Sequence, residues 1–244
     1  MSIFGLKKQL GYDERHSQQQ KIGLNHVALT IFDLDNTLLA GDSDYLWGQF
    51  LAQKGIVDGD FYERENRRFY DDYKAGQLDI YEFLAFSLAP LAKTEPAMLQ
   101  SLQQEFMQTV IAPIILPAGR ELVKKHRDMG NTLLIITATN RFVTAPIAQE
   151  LGVDNLLATD PEQLNGRYTG RVTGTPTFKE GKVKRLHEWL AATHHSLDES
   201  WFFSDSLNDI PLLEIVTYPV AVDPDDTLAQ HAEMRGWEIM SLRE

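Results

Sequence analysis

Three short apolar runs, each closed by a polar residue, constrain this chain more than any other feature. Residues 26–32 (HVALTIF) lead into Asp33, residues 132–136 (TLLII) into Thr137, and residues 201–203 (WFF) into Ser204 and Asp205. Each run is rich in β-favouring residues and too short for a helix, which suits strands buried on both faces. Residues 219–222 (PVAV) repeat the pattern, and 237–239 form a last short run. Helical stretches separate these runs: 120–129, stopped by Gly130, then 142–151, then a stripe of Val183, Leu186 and Leu190. Residues 156–172 read instead as a strand and hairpin, with turn signals at Asn165-Gly166 and Gly170. Strands that alternate with crossover helices predict an α/β fold with a parallel sheet and helices on both faces. Ligands in such a fold gather beyond the carboxyl ends of the strands. Asp33, Thr137 and Asp205 all stand at that edge.

Between the first two strands the apolar period changes to that of helices. Trp47, Phe50 and Leu51 share one face, as do Tyr62, Phe69, Tyr70 and Tyr73. Ile80, Phe83, Leu84, Leu88 and Leu91 make a third stripe, and Leu99, Leu102, Phe106 and Val110 a fourth. Four helices without a strand predict a separate helical unit, closed by Pro113 and Pro117-Ala-Gly119. The expected organisation is an N-terminal extension over 1–25, a core of 26–41 and 118–244, and an inserted helical domain over 42–117. The extension is polar after an apolar start, with one short helix expected around residues 3–10.

Composition narrows the function classes. With 43% hydrophobic and 24% charged residues the chain has the make-up of an ordinary globular protein. A formal net charge of −12 repels phosphate backbones, so nucleic acid is not an expected partner. The absence of cysteine excludes disulfides and thiolate chemistry. No apolar run approaches the roughly 18–20 residues that span a bilayer, and no secretory signal is evident, so a cytoplasmic protein without a membrane partner is expected.

The strand ends carry the chemistry. Asp33 and Asp35, two residues apart past a buried strand, can face one site if the backbone leaves the extended form. One carboxylate could then attack phosphorus while the other protonates the leaving alkoxide and activates water. A lone D-x-D is more readily an Asx-turn or a helix cap. Asp205 and Asp209, with Asn208 between them, are hard oxygen ligands suited to magnesium, which takes one or two carboxylates plus water and phosphate. Asp209 could equally cap a helix starting near Pro211. Thr137, followed by Ala138 at a helix start, offers a hydroxyl and backbone N–H groups to an anion. Lys179 and Lys182 precede the Val183 helix, where a fixed cation could stabilise a phosphoryl group.

Taken together, FDLDNT at 32–37, IIT at 135–137 and SDSLND at 204–209 make the chain resemble the haloacid dehalogenase superfamily, within its phosphoserine-phosphatase-like subfamily IB. The resemblance covers about residues 27–239. It implies a Rossmann-like α/β core with an inserted all-helical, C1-type cap domain and a magnesium-dependent phosphatase passing through an aspartyl-phosphate. Under it, Asp33 is the nucleophile, Asp35 the general acid/base, and Thr137, Ala138 and Asn208 contact the phosphate. Mg2+ is held by Asp33, Asp35 and Asp205, with Asp209 supporting them. Relatives place the lysine about 23 residues before the first aspartate of the last motif, which selects Lys182 over Lys179.

The resemblance also bears on the substrate, a small phosphate ester. Asp42 matches a carboxylate that meets a substrate ammonium, although an N-cap is an equal reading. The segments around the first and last motifs are similar to bacterial relatives assigned as histidinol-phosphate phosphatases, so histidinol phosphate and phosphoserine are both candidates. Arg64, Arg67 and Arg68 are expected on a solvated face near Glu63 or Asp71 rather than as a carboxylate clamp. His126, His187, His194 and His195 are expected at helix surfaces. The rival readings are a phosphotransferase using the same residues and a non-catalytic binding module. The oligomer is left open between monomer and homodimer.

Overall fold

A computed structural model describes residues 27–243, so the helix expected near residues 3–10 and the start of the first apolar run lie outside the described residues. Seven strands form one sheet in the order β4-β3-β2-β1-β5-β6-β7. They are β1 (Leu29–Phe32), β2 (Thr132–Asn140), β3 (Asn155–Leu164), β4 (Arg167–Thr173), β5 (Trp201–Ser204), β6 (Tyr218–Val222) and β7 (Glu238–Met240). All neighbours run parallel except the β3–β4 hairpin. The central strands are apolar on both faces because the sheet is covered on both. Leu29, Ile31, Leu134, Ile136 and Phe202 meet Leu186 and Leu190 on one side. Phe32, Leu133, Ile135 and Phe203 pack on the other with Val123 and Ile147.

The insertion between β1 and β2 holds helices α1 (Ser43–Gln53), α2 (Gly59–Lys74), α3 (Ile80–Ser87), α4 (Ala89–Lys93) and α5 (Pro96–Phe106). The expected third helix is thus two, because Pro90 interrupts the ladder after Ser87. After α5 the chain widens into a π turn at Met107–Ile111 and a 3-10 turn at Ala112–Ile114, so Val110 lies beyond the fourth helix. The two crossings between sheet and insertion are tied side by side. Ala40 N donates to Ile114 O at 2.7 Å, and Leu116 N to Leu38 O at 3.0 Å. The remaining helices are α6 (Pro117–Asp128), α7 (Arg141–Glu150), α8 (Glu180–Thr193), α9 (Ile210–Leu213) and α10 (Asp226–Arg235).

His126 corrects an expectation. It is 2% exposed, not on a surface, because α6 lays that face on the sheet. Its Nδ1 sits 3.0 Å from Thr30 Oγ1, and burial pushes the imidazole down to about 3, so it stays neutral. On α2 the arginines are exposed as expected, but Arg68 pairs with Glu65 and Glu82 rather than Glu63 or Asp71. Those partners lie one turn along the helix and on the facing α3.

Candidate active site

The loop after β1 turns because Asn36 takes a left-handed φ of 57°, and its N–H donates to Gly41 O at 3.0 Å. That reversal lets two carboxylates two residues apart face one cleft. Asp33, 4% exposed, continues the ladder by donating its N–H to Phe203 O at 2.9 Å. Asp35 is pinned on both oxygens. Ser43 N donates to Oδ1 at 2.7 Å, and Thr139 Oγ1 to Oδ2 at 2.8 Å. Thr37 holds the opposite wall, its hydroxyl 3.0 Å from Asp205 Oδ1.

β2 runs three residues past the expected end at Thr137, with its pairing to β3 shifting register between Ile136 and Asn140. Two-residue alternation puts Thr137 and Thr139 on one side of the strand, and both hydroxyls approach Asp35. Thr139 was not singled out from the sequence, although its spacing from Thr137 was the available signal. Ala138 lines the same cleft. Its carbonyl accepts from Thr159 Oγ1 at 2.8 Å.

Lys182 Nζ lies 2.8 Å from Asp33 Oδ1 and 2.7 Å from Asp209 Oδ2, with the lysine 3% exposed. The tight turn before it needs Gly181, where a Cβ would fall 2.1 Å from Pro176 O. Lys179 points elsewhere and donates to Gly76 O at 2.7 Å. Asp209 makes no helix cap; Ser204 Oγ donates to its Oδ2 at 2.6 Å and Lys182 neutralises it. Asn208 is buried with its amide on Tyr73 O at 3.2 Å, and it lies outside the cleft lining. Tyr73 OH and Ser206 Oγ are 3.1 Å apart, a second tie between α2 and the loop after β5.

Charge dominates the site. Asp33, Asp35, Asp42 and Asp44 line the cleft, Asp205 and Asp209 stand beside it, and Lys182 is the one cation in the lining among the described residues. Burial pushes Asp33 up to about 7, against the pull of Lys182. Burial and the Asp42 charge push Asp35 up to about 6. Asp205 is held well above the carboxylate range by burial and by Asp33. Among the described residues no three metal-ligating side chains are gathered into one cage. Magnesium asks for less, one or two carboxylates with water and phosphate, and a surplus of buried negative charge suits a divalent cation. Asp33 and Asp205, with the Asp35 carbonyl, could hold it.

Asp42 caps α1, its Oδ1 accepting from Asp44 N at 3.0 Å and Tyr45 N at 2.9 Å, and it also lines the cleft. The cap and the ligand readings are therefore compatible.

Residues 30–214 match the family of haloacid dehalogenase-like hydrolases. A relative from Neisseria meningitidis serogroup C (strain 8013), named histidinol-phosphatase, is 45% identical over 88% of this chain and 99% of its own. Phosphoserine phosphatase SerB1 of Mycobacterium tuberculosis (strain ATCC 25618 / H37Rv) is 33% identical over 89% of this chain and 71% of its own. A solved structure from Bordetella pertussis Tohama I, described as of unknown function, superposes with a TM-score of 0.84 at 44% identity. It covers 89% of this chain and 100% of that one.

Proposed function

This chain belongs to the haloacid dehalogenase-like hydrolase family and is a phosphatase, and we propose that it hydrolyses a small amine-bearing phosphate monoester through an aspartyl-phosphate on Asp33. The observation that carries this reading is the pairing of Asp33, set against Lys182 Nζ, with Asp35, pinned by Ser43 and Thr139. An Asp33 oxygen attacks phosphorus, and the bond to the ester oxygen breaks as Asp35 gives that oxygen its proton. Asp35, now ionised, takes a proton from water as the water oxygen attacks the aspartyl-phosphate. Inorganic phosphate leaves and Asp33 is regenerated. An acid pushed up to about 6 is well matched to both halves of that exchange near neutral pH.

Lys182 steadies the equatorial oxygens, and the Thr137 hydroxyl with the Ala138 backbone cradles them. Magnesium, held by Asp33, Asp35 and Asp205, would neutralise charge on the phosphoryl group. Asp209 acts on that site by orienting Lys182. The helical insertion over 42–117 serves as a cap. The Ser43 N–H on Asp35 couples the position of the acid to the docking of α1, while Tyr73 and Gly76 fasten α2 to the core loops.

The substrate is drawn from the relatives' chemistry, with histidinol phosphate and phosphoserine the two candidates. A phosphate-release screen with magnesium over some tens of small phosphate esters tests the reading. One amine-bearing ester far above the others supports it, and no release from any ester overturns it. Asp42→Asn keeps the helix cap, since asparagine caps as well as aspartate. It is expected to cost amine-bearing esters on the order of tenfold more in kcat/KM than a generic aryl phosphate. Equal losses on both would remove Asp42 from the substrate contacts.

Metal binding is read separately by thermal denaturation. Asp33 and Asp35 have folded values above their unfolded ones, so their contribution to stability is full below about pH 4 and is lost as pH rises through 6 to 7. A cation that binds the ionised pair restores it. Saturating magnesium at about 100 times its Kd adds about 2.7 kcal/mol, or roughly 5–10 °C in Tm at this chain length. That gain is expected at pH 7.5 and should shrink at pH 5. No gain at pH 7.5, or a gain of equal size at pH 5 and pH 7.5, would count against the metal site.

A further inference from the structure

The cleft continues past the phosphate-binding end into the helical insertion, and its chemistry there is one-sided. Asp44 is 8% exposed. Its Oδ1 accepts from Asn140 Nδ2 at 3.1 Å, and its other oxygen has no hydrogen-bond partner among the described residues. Asn66, 5% exposed, lines the same cleft and spends its amide on Tyr45 O at 2.8 Å. Around these residues stand rings: Tyr45 and Tyr70, with centroids 5.4 Å apart, and Phe69 against Phe83 at 5.4 Å. Lys182, the only cation lining the cleft among the described residues, is committed to Asp33 and Asp209.

A buried wall of acceptors and ring faces favours a flat group that donates N–H bonds and carries positive charge. It opposes a carboxylate, which would be desolvated beside Asp42 and Asp44 with no counter-charge. On the phosphatase reading above, on which this rests, we propose that Asp44 is a specificity-determining residue that accepts a hydrogen bond from a second nitrogen-bearing group of the substrate. The preferred ester then carries two cationic nitrogens, one of them in a ring, and no carboxylate. Asp42 meets the first nitrogen and Asp44 the second. Asn140 matters because its amide fixes the Asp44 carboxylate, while its own Oδ1 accepts from Val143 N at the start of α7.

Three esters separate the features. Histidinol phosphate carries an amine and an imidazole, O-phosphoethanolamine an amine alone, and O-phosphoserine an amine and a carboxylate. The native chain should rank them in that order by kcat/KM. Asp44→Asn keeps an acceptor for Asn140 but removes the charge. It is expected to lower the ratio of histidinol phosphate to O-phosphoethanolamine on the order of 10- to 100-fold. Should Asp44→Asn fail to fold, Asn140→Ser, which keeps a cap for α7 and frees the carboxylate, is expected to lower the same ratio severalfold. An unchanged ratio in the folded variant overturns the inference and leaves the phosphatase reading intact. So does a native preference for O-phosphoserine. No phosphate release from any of the three by the native chain would overturn the phosphatase reading itself, and this inference with it.

Discussion

Asp33→Asn is expected to lower phosphate release on the order of 10⁴- to 10⁶-fold, the scale seen when a covalent nucleophile is removed. The amide is nearly the same size and still accepts from Lys182, so the change acts on chemistry rather than on packing. Stability points the other way. Asp33 is buried beside Asp209 and Asp35, whose charges both raise its protonation. Removing that charge relieves repulsion on Asp205 as well. In chelator, the Tm of the variant should therefore equal or exceed that of the native chain. A loss of activity smaller than about tenfold, measured as kcat on the best ester, would remove Asp33 from the nucleophile role. A large fall in Tm would mean that the carboxylate is structural.

Lys182→Met separates the same two effects in the opposite direction. The ammonium is buried between Asp33 and Asp209, and truncating one partner of a buried ion pair costs about 3–5 kcal/mol. That corresponds to roughly 6–20 °C in Tm for a chain of this length. The cost should depend on pH through the carboxylates. The folded value of Lys182 is raised above its ordinary one, so its own contribution is fully present across pH 5–8. Asp33, already at about 7, climbs further once its cation is gone. At pH 5 Asp33 is neutral and adds no stranded charge of its own; at pH 8 it does, and the penalty is larger. A Tm loss that is equal at both pH values would show that methionine disturbs packing rather than charge. Activity should fall on the order of 10²-fold or more, as for a lost transition-state donor.

Much of this architecture was legible because it is local. Buried parallel strands must be apolar, so β1, β2, β5 and β6 announced themselves, and the change of period after Asp42 marked the helical insertion. The β3–β4 hairpin followed from Asn165-Gly166, whose residues take left-handed φ values of 51° and 76°. The resemblance of the motifs to the family is what singled out Asp33, Asp35, Asp205 and Lys182 as candidates, and the structure brings Lys182 onto Asp33. Boundaries were less accessible. Pro90 split one apolar stripe into α3 and α4, and a π turn displaced Val110, since periodicity reports a face and not the integrity of the ladder.

What depended on tertiary structure was which polar groups meet across distant elements. His126 was expected at a helix surface, yet it shares the face of Gly119 and Val123 that α6 lays against Thr30 and the aromatic rings of the sheet. Asn208 looked like a phosphate neighbour and instead holds the backbone of α2. Thr139 gained its role because the irregular end of β2 turns it toward Asp35, and Asp44 because Asn140, 96 residues away, aims it into the cleft. The chain by itself determined the order of strands and helices and the types of chemistry at the strand ends, because those follow from period and residue type. Folding alone decided which carboxylates share one buried ammonium, because burial and mutual repulsion exist only once the elements are packed.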